Sequence, residues 1–155
     1  MEYFKTLSDA IALAEFAHRN QKDKAGLDYI EHPRRVLAGV QAMGARPYVQ
    51  MAAILHDVSE DTAITTTMMS DMGFSDAVTN LVNLVDKEFY RDETGRVDLD
   101  GYYAGIQRNS DARMIKEADI RDNTAPWRLS YLSSETQARL LKKYSMALDK
   151  IGSAR

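Results

Sequence analysis

The chain has no cysteine, so neither a disulfide framework nor a thiolate metal site is open to it. No apolar stretch approaches the roughly 20 residues that a membrane-spanning helix needs. The opening MEYFKTLSDA lacks the basic segment followed by an apolar one that marks a secretory signal. Internal repeats, low-complexity runs and linkers rich in Pro, Gly or Ser are absent, as is any sustained alternation of apolar and polar residues that would announce a strand. Excess charge is also missing: the net charge is −3 and the pI about 5.6. That balance argues against nucleic acid or a membrane surface as a partner. With 155 residues, 45% of them hydrophobic, the chain is expected to form one domain over 1–155, with a substantial core and a cytoplasmic setting.

What is present reads as helix. Ser8 is expected to cap a helix over 8–21, with Ile11, Ala14 and Ala17 on one stripe. Pro33 at a first helical position and Gly44 as a stop bound a second helix ending at Met43. Pro47 opens a third that runs on through residues 52–62. Thr65 or Thr66 starts a short helix ending near Gly73, and Ser75 caps another carrying Val78, Leu81, Val82 and Val85. Residues 88–100, EFYRDETGRVDLD, have no helical period and form the longest predicted loop. Helices follow near 100–109, 110–124 and 134–151, the last with a capping box of Ser134 and Gln137. The fold class is all-α, a helical bundle.

The third helix carries AAILHDVSEDT, residues 52–62. On a continuous helix, His56, Asp57, Glu60 and Asp61 fall within roughly 140° of arc, opposite Met51, Ile54, Leu55 and Val58. Such a face is either solvated, with a chance His-Asp pair, or part of a divalent metal site, since imidazole with carboxylates suits Mn, Fe, Co, Ni or Zn. Two adjacent residues cannot fill a coordination shell, so partners must come from elsewhere. YIEHPRRV offers His32 at a helix N-cap, where it is either a cap or a ligand. MIKEADIRDN offers Lys116, Asp119 and Asn123 along one helical stripe, away from Met114, Ile115 and Ala118. An acid so placed is as a rule a surface residue.

His32, then His56-Asp57 after 24 residues, then Asp119 after a further 62, give the order H…HD…D. This order resembles the HD-domain superfamily of metal-dependent phosphohydrolases. HRNQKDKAGLDYIEHPRRV, AAILHDVSEDT and IKEADIRDN look like the hydrolase domain of the RelA/SpoT alarmone enzymes and their small stand-alone MESH1-like relatives. The resemblance implies one divalent ion, commonly manganese, on His32, His56, Asp57 and Asp119, with Glu60 and Asp61 handling the protons of the attacking water and the leaving group. It implies that Lys24 lies near substrate phosphates, that Asn123 meets the nucleoside and that Lys116 contacts phosphate. His18 is not among the family's metal ligands and is expected to be structural.

The implied partner is a small-molecule nucleotide. The implied activity is removal of the 3′-pyrophosphate of ppGpp or pppGpp, with two alternatives: the same chemistry on another nucleotide phosphate (NADPH 2′-phosphate or a dNTP), or a non-catalytic helical module. Three departures stand out. Asp23 replaces a basic residue that stacks on the purine in relatives, Asp28 stands where relatives often have Pro, and Ser59 differs from the commoner HDVVEDT; Lys87, which falls where relatives have a Thr-Lys pair, is assigned no role.

Overall fold

Side-chain caps and prolines set most helix starts in the computed structural model, which describes residues 4–152. The order is α1 (Leu7–Ala17), α2 (Glu31–Ala42), α3 (Pro47–Leu55), α4 (Val58–Asp61), α5 (Thr66–Asp71), α6 (Asp76–Leu84), a 3-10 turn over Lys87–Tyr90, α7 (Leu99–Arg108), α8 (Ser110–Asn123), α9 (Pro126–Leu129) and α10 (Ser134–Ile151). Among the described residues there is no named strand, only isolated bridges between Lys22 and Asp28 and between Arg91 and Val97. The all-α expectation holds.

Several boundaries differ, each for a local reason. Thr6, not Ser8, caps α1, because the Thr6 hydroxyl takes the Asp9 N–H while the Asp9 carboxylate takes that of Thr6. The same helix stops at Ala17, because the chain turns there into the loop closed by the Lys22–Asp28 bridge. Pro33 is the third residue of α2 rather than its first, a position whose missing N–H breaks no helical bond. In α10 the cap is Ser133, accepting from the Thr136 N–H, and Gln137 instead donates to the Leu132 carbonyl. The expected long loop is partly ordered: the Asp92 carboxylate accepts from the Thr94 and Arg96 N–H groups, and Gly95 supplies a positive φ of 84°.

The difference that matters most is in residues 52–62. They do not form one helix. α3 ends at Leu55, His56 and Asp57 make a turn, and α4 begins anew at Val58. The helix is thus interrupted at His56 and Asp57, although both keep right-handed helical dihedrals and the Asp61 N–H still bonds the Asp57 carbonyl at 2.9 Å.

α3 is the apolar axis, burying Val49, Ala52, Ala53, Ile54 and Leu55 against α1, α2 and α6. Its neighbour α2 packs on α8, and α8 is backed by α7 and α10. The α2–α8 approach is close: a Cβ on Gly39 would lie 3.1 Å from that of Ala118, one residue before Asp119. Gly39 thus permits the spacing at which α2 and α8 can share a site. Gly39→Val should destabilise the protein by about 1–3 kcal/mol, the usual cost of overpacking. Urea unfolding checks it; a midpoint equal to that of the parent protein contradicts the close packing.

Candidate metal centre

Two imidazoles and two carboxylates from three places in the chain meet at the base of one cavity. His32 sits in the first turn of α2 and is 2% exposed. Its Nδ1 donates to Asp122 Oδ2 at 2.6 Å, which leaves Nε2 to face the cluster. His56, in the turn after α3, donates from Nδ1 to the Ala53 carbonyl at 2.7 Å, and its Nε2 faces the same point. In both rings the outer nitrogen is fixed by an acceptor, so the inner one is presented as a lone pair.

The carboxylates are held as firmly. Lys116 Nζ lies 2.7 Å from Asp119 Oδ2, and Asn123 donates to Asp119 Oδ1 at 2.8 Å. Tyr29 donates its hydroxyl to Asp57 Oδ2 at 2.5 Å. His32 Nε2 is 3.0 Å from Asp119 Oδ1 and 3.6 Å from Asp57 Oδ2, while His56 Nε2 is 3.0 Å from Asp57 Oδ2 and 3.7 Å from Asp119 Oδ1.

Ligand atoms of His32, His56 and Asp119 all lie within 4.8 Å of one another. His56 Nε2 is fully buried and makes no well-directed hydrogen bond. A buried nitrogen without a partner, among oxygens aimed at the same point, fits a divalent cation. Nitrogen and carboxylate oxygen are also the right donors for one.

The electrostatics agree. Burial opposes charge on every member of the cluster, yet the pairing wins. Asp57 and Asp119 hold His56 well above its usual value, and hydrogen bonds to Asp119 and Asp122 raise His32. Burial likewise pushes against ionisation of Asp119, but Lys116 and the two imidazoles keep it well below the ordinary carboxylate range; the imidazoles do the same for Asp57, down to about 2. The acids thus favour an extra proton on each imidazole, and a cation at Nε2 would compete with that proton.

Above the cluster opens a cavity of about 370 Å³. Glu60 lines it, and burial, then the charges of Asp57, Asp86 and Asp61, push its carboxyl up to about 7. Lys24, Lys87 and Lys143 line it too, and none has a carboxylate partner among the described residues. Burial, and then Lys116, lowers the pKa of Lys87; burial, and then Lys87, Lys116 and Lys24, lowers that of Lys143. The ammonium groups face one another around a common space.

Of the residues singled out from the sequence, His32, His56, Asp57, Glu60, Lys24, Lys116, Asp119 and Asn123 all line this cavity. Asp61 does not. It lies on the exposed outer side, where its Oδ2 accepts from Gln21 at 3.0 Å beside Ala17 and Arg19. Glu60 and Asp61 are neighbours on α4, and their side chains leave the helix about 100° apart, so one enters the cavity and the other does not. Lys116 and Asn123 spend their polar groups on Asp119, and the Asn123 amide oxygen also accepts from Arg128 at 2.7 Å. Asp119, expected on general grounds to be a surface acid, is buried. His18 is structural as expected: it is buried, with Nδ1 2.7 Å from Gln21 Oε1.

Asp23 is used differently from any base-stacking residue. Its Oδ1 accepts from the Ala25 and Leu27 N–H groups at 2.9 Å, and its Oδ2 lies 3.7 Å from Arg128. Sequence reasoning passed over Tyr29, Asp122, Arg128 and Lys143. Asp122 had a signal, standing three residues after Asp119 and so on the same side of α8. Arg128 and Lys143 had none, because they reach the cavity from other elements.

Comparison with known proteins follows the geometry. A family model described as HD domain matches residues 10–94. The Drosophila melanogaster guanosine-3′,5′-bis(diphosphate) 3′-pyrophosphohydrolase MESH1 is 31% identical over 137 residues, which are 84% of this chain and 74% of that protein. A Streptomyces coelicolor GTP pyrophosphokinase is 31% identical over 140 residues, 87% of this chain but only 16% of the relative. The Escherichia coli bifunctional (p)ppGpp synthase/hydrolase SpoT is 37% identical over 86 residues, 56% of this chain and 12% of the relative. The chain thus spans a small part of the length of these bacterial relatives. Among solved structures, a metazoan ortholog of SpoT, described as hydrolysing ppGpp, superposes with a TM-score of 0.75 at 26% identity, over 94% of this chain and 84% of the other.

The position of Glu60 gives a testable pH dependence. A carboxyl raised from 4.5 to about 7 in the folded protein keeps its proton on folding, so its contribution is fully present below pH 4.5 and is lost as pH rises through 7. In protein stripped of metal, Glu60→Gln should therefore raise the melting temperature more at pH 8 than at pH 5, with the gap opening between pH 4.5 and 7. An equal gap at both pH values would mean that Glu60 ionises normally.

Proposed function

We propose that this chain, which belongs to the HD-domain family, is a divalent-metal-dependent nucleotide phosphohydrolase that removes the 3′-pyrophosphate of guanosine tetra- or pentaphosphate. The products are GDP or GTP and pyrophosphate. One observation carries the reading: a single cavity pairs a buried His and carboxylate cluster with three ammonium groups that lack carboxylate partners. The first suits a divalent cation, and the second suits a polyphosphate. The likeness to the Drosophila pyrophosphohydrolase, most of whose length the chain covers, supports the substrate.

His32, His56, Asp57 and Asp119 would hold the ion, taken to be Mn²⁺. Bound there, a divalent ion would acidify a water and draw charge from the phosphoryl oxygens. Tyr29, Lys116, Asn123, Asp122 and the Ala53 carbonyl keep the four ligands oriented. Lys24, Lys87 and Lys143 hold phosphate oxygens and offset their charge. Glu60, with its carboxyl raised toward neutrality, takes the proton of the attacking water. The water oxygen joins the phosphorus next to the ribose, the bond to the 3′-oxygen breaks, and that oxygen leaves with the electron pair and takes up a proton. Asp61, placed outside the cavity, acts from a distance by holding Gln21 and the loop before α2.

Asp23 favours a second reading, the same chemistry on another nucleotide phosphate. Its carboxylate organises the loop and faces Arg128, so no guanidinium at this position stacks on a base.

A panel of ppGpp, NADPH and dNTPs with Mn²⁺, following phosphate and pyrophosphate separately, decides between the readings. Pyrophosphate from ppGpp is expected. Orthophosphate from NADPH alone would transfer the function to the second reading, and no turnover with metal bound would leave a binding module. His56→Ala and Asp119→Ala should each lose bound metal by elemental analysis while the circular dichroism stays helical; full occupancy in both would refute the ligand assignment. Glu60→Gln should lower turnover about 10²-fold or more with metal content unchanged. Loss of metal along with activity would make Glu60 a ligand instead.

A further inference from the structure

Ser59, a departure from the commoner HDVVEDT, is in contact with Asp86. The Ser59 hydroxyl donates to Asp86 Oδ2 at 2.7 Å. Asp86 is 5% exposed, and its other oxygen, Oδ1, accepts from the Glu88 N–H at 2.8 Å. Among the described residues no basic side chain pairs with it. A buried carboxylate without a cation is costly, and here two hydrogen bonds sustain it.

The location gives this pair its meaning. Asp86 is the N-cap of the 3-10 turn whose first residue is Lys87, a cavity-lining ammonium that lies 5.9 Å from the Tyr102 ring. Ser59 stands next to Glu60 on α4, a four-residue helix with no side-chain cap of its own. So one bond joins the segment that carries Glu60 to the turn that carries Lys87. Each segment is also packed, Val58 in the core and the 3-10 turn against α6 and α7, so this bond sets how the two polar ends stand relative to each other.

We infer that Ser59 and Asp86 are a positioning pair for Lys87, fixing the turn so that its ammonium stands in the cavity opposite Glu60 to receive a substrate phosphate. The inference rests on the phosphate-binding reading of the cavity given above. Neither residue touches the substrate; both act through Lys87.

The test uses Ser59→Val and Ser59→Thr, side chains isosteric with each other of which only the second keeps a hydroxyl. Binding of inorganic pyrophosphate to EDTA-treated protein is measured by calorimetry, and KM and kcat are measured with the nucleotide that the panel identifies. Ser59→Val should weaken pyrophosphate binding and raise KM about three- to tenfold, the scale of one ordinary hydrogen bond felt through Lys87, with kcat little changed. Ser59→Thr should restore both. In a Lys87→Ala background, Ser59→Val should have no further effect, because the two act as one unit.

Wild-type pyrophosphate binding in Ser59→Val, or the same loss with Lys87 already removed, would overturn the inference. If the wild type hydrolyses no nucleotide on the panel but binds pyrophosphate, the calorimetric arm alone decides, so failure of the substrate reading and failure of this pair are told apart. No binding of pyrophosphate by the wild type would overturn both.

Discussion

A single imidazole bridges the two helices on which the site depends. His32 on α2 meets Asp122 through Nδ1 at 2.6 Å and Asp119 through Nε2 at 3.0 Å, and both acids belong to α8. The spacing of α2 and α8 is in turn set by Gly39 against Ala118, where nothing larger than a hydrogen fits without displacement. The apolar contact brings the helices close, and closeness gives the polar contact its geometry. Neither would persist alone: buried charges need partners within reach, and small-residue packing by itself does not specify rotation or register. Arg35 and Arg128 complete the arrangement by binding the oxygens of Asp122 at 2.6 and 2.9 Å, so that the acid can hold His32 without itself lacking a cation.

The cavity above this bridge separates charge by function. Its floor is acidic and imidazole-rich, with each oxygen or nitrogen tied from behind. Its wall carries ammonium groups that have no carboxylate partner among the described residues. Lys116 marks the border: its ammonium belongs to Asp119, and its charge still lowers the pKa of Lys87 and Lys143. A ligand that satisfies both regions must itself be anionic and must bring oxygens to a cation. Phosphate esters and anhydrides meet both demands, which is why the geometry supports a phosphohydrolase more strongly than it supports any particular base or sugar.

Much of this was legible in the sequence. The order of His32, His56-Asp57 and Asp119 identifies the cluster, because a pattern of ligand types survives wherever the helices end. Ser75 and Pro47 mark their helices correctly because a side-chain cap and a fixed φ are local properties. Where one local signal competes with another, the sequence misleads. Ser8 and Ser134 look like caps, but Thr6 and Ser133 have neighbours that complete the hydrogen bonds. The break at His56 was invisible to periodicity, since its apolar and polar residues fit a continuous wheel; what ends α3 is the bond from the His56 ring to the Ala53 carbonyl and the inward turn it fixes. Asp61 stands outside the cavity lining and still feels the charge of Asp57, a placement that the wheel did not distinguish from that of Glu60. Arg128 and Lys143 reach the cavity only through tertiary packing, for which sequence distance gives no hint.

Asp23 shows how a substitution at one edge of a site changes more than the residue it replaces. An arginine there would leave the loop N–H groups of Ala25 and Leu27 without their acceptor and would set a second guanidinium beside Arg128. The aspartate does the opposite: it closes the loop on itself and gives Arg128 a carboxylate on the side away from Asp122. Arg128 also binds Asn123, and Asn123 binds Asp119. The rim of the cavity is therefore continuous, through three side chains, with the residues at its base. A change at position 23 would thus reach Asp119 through Arg128 and Asn123, and the loop between α1 and α2 is part of the cavity's frame as well as part of its opening.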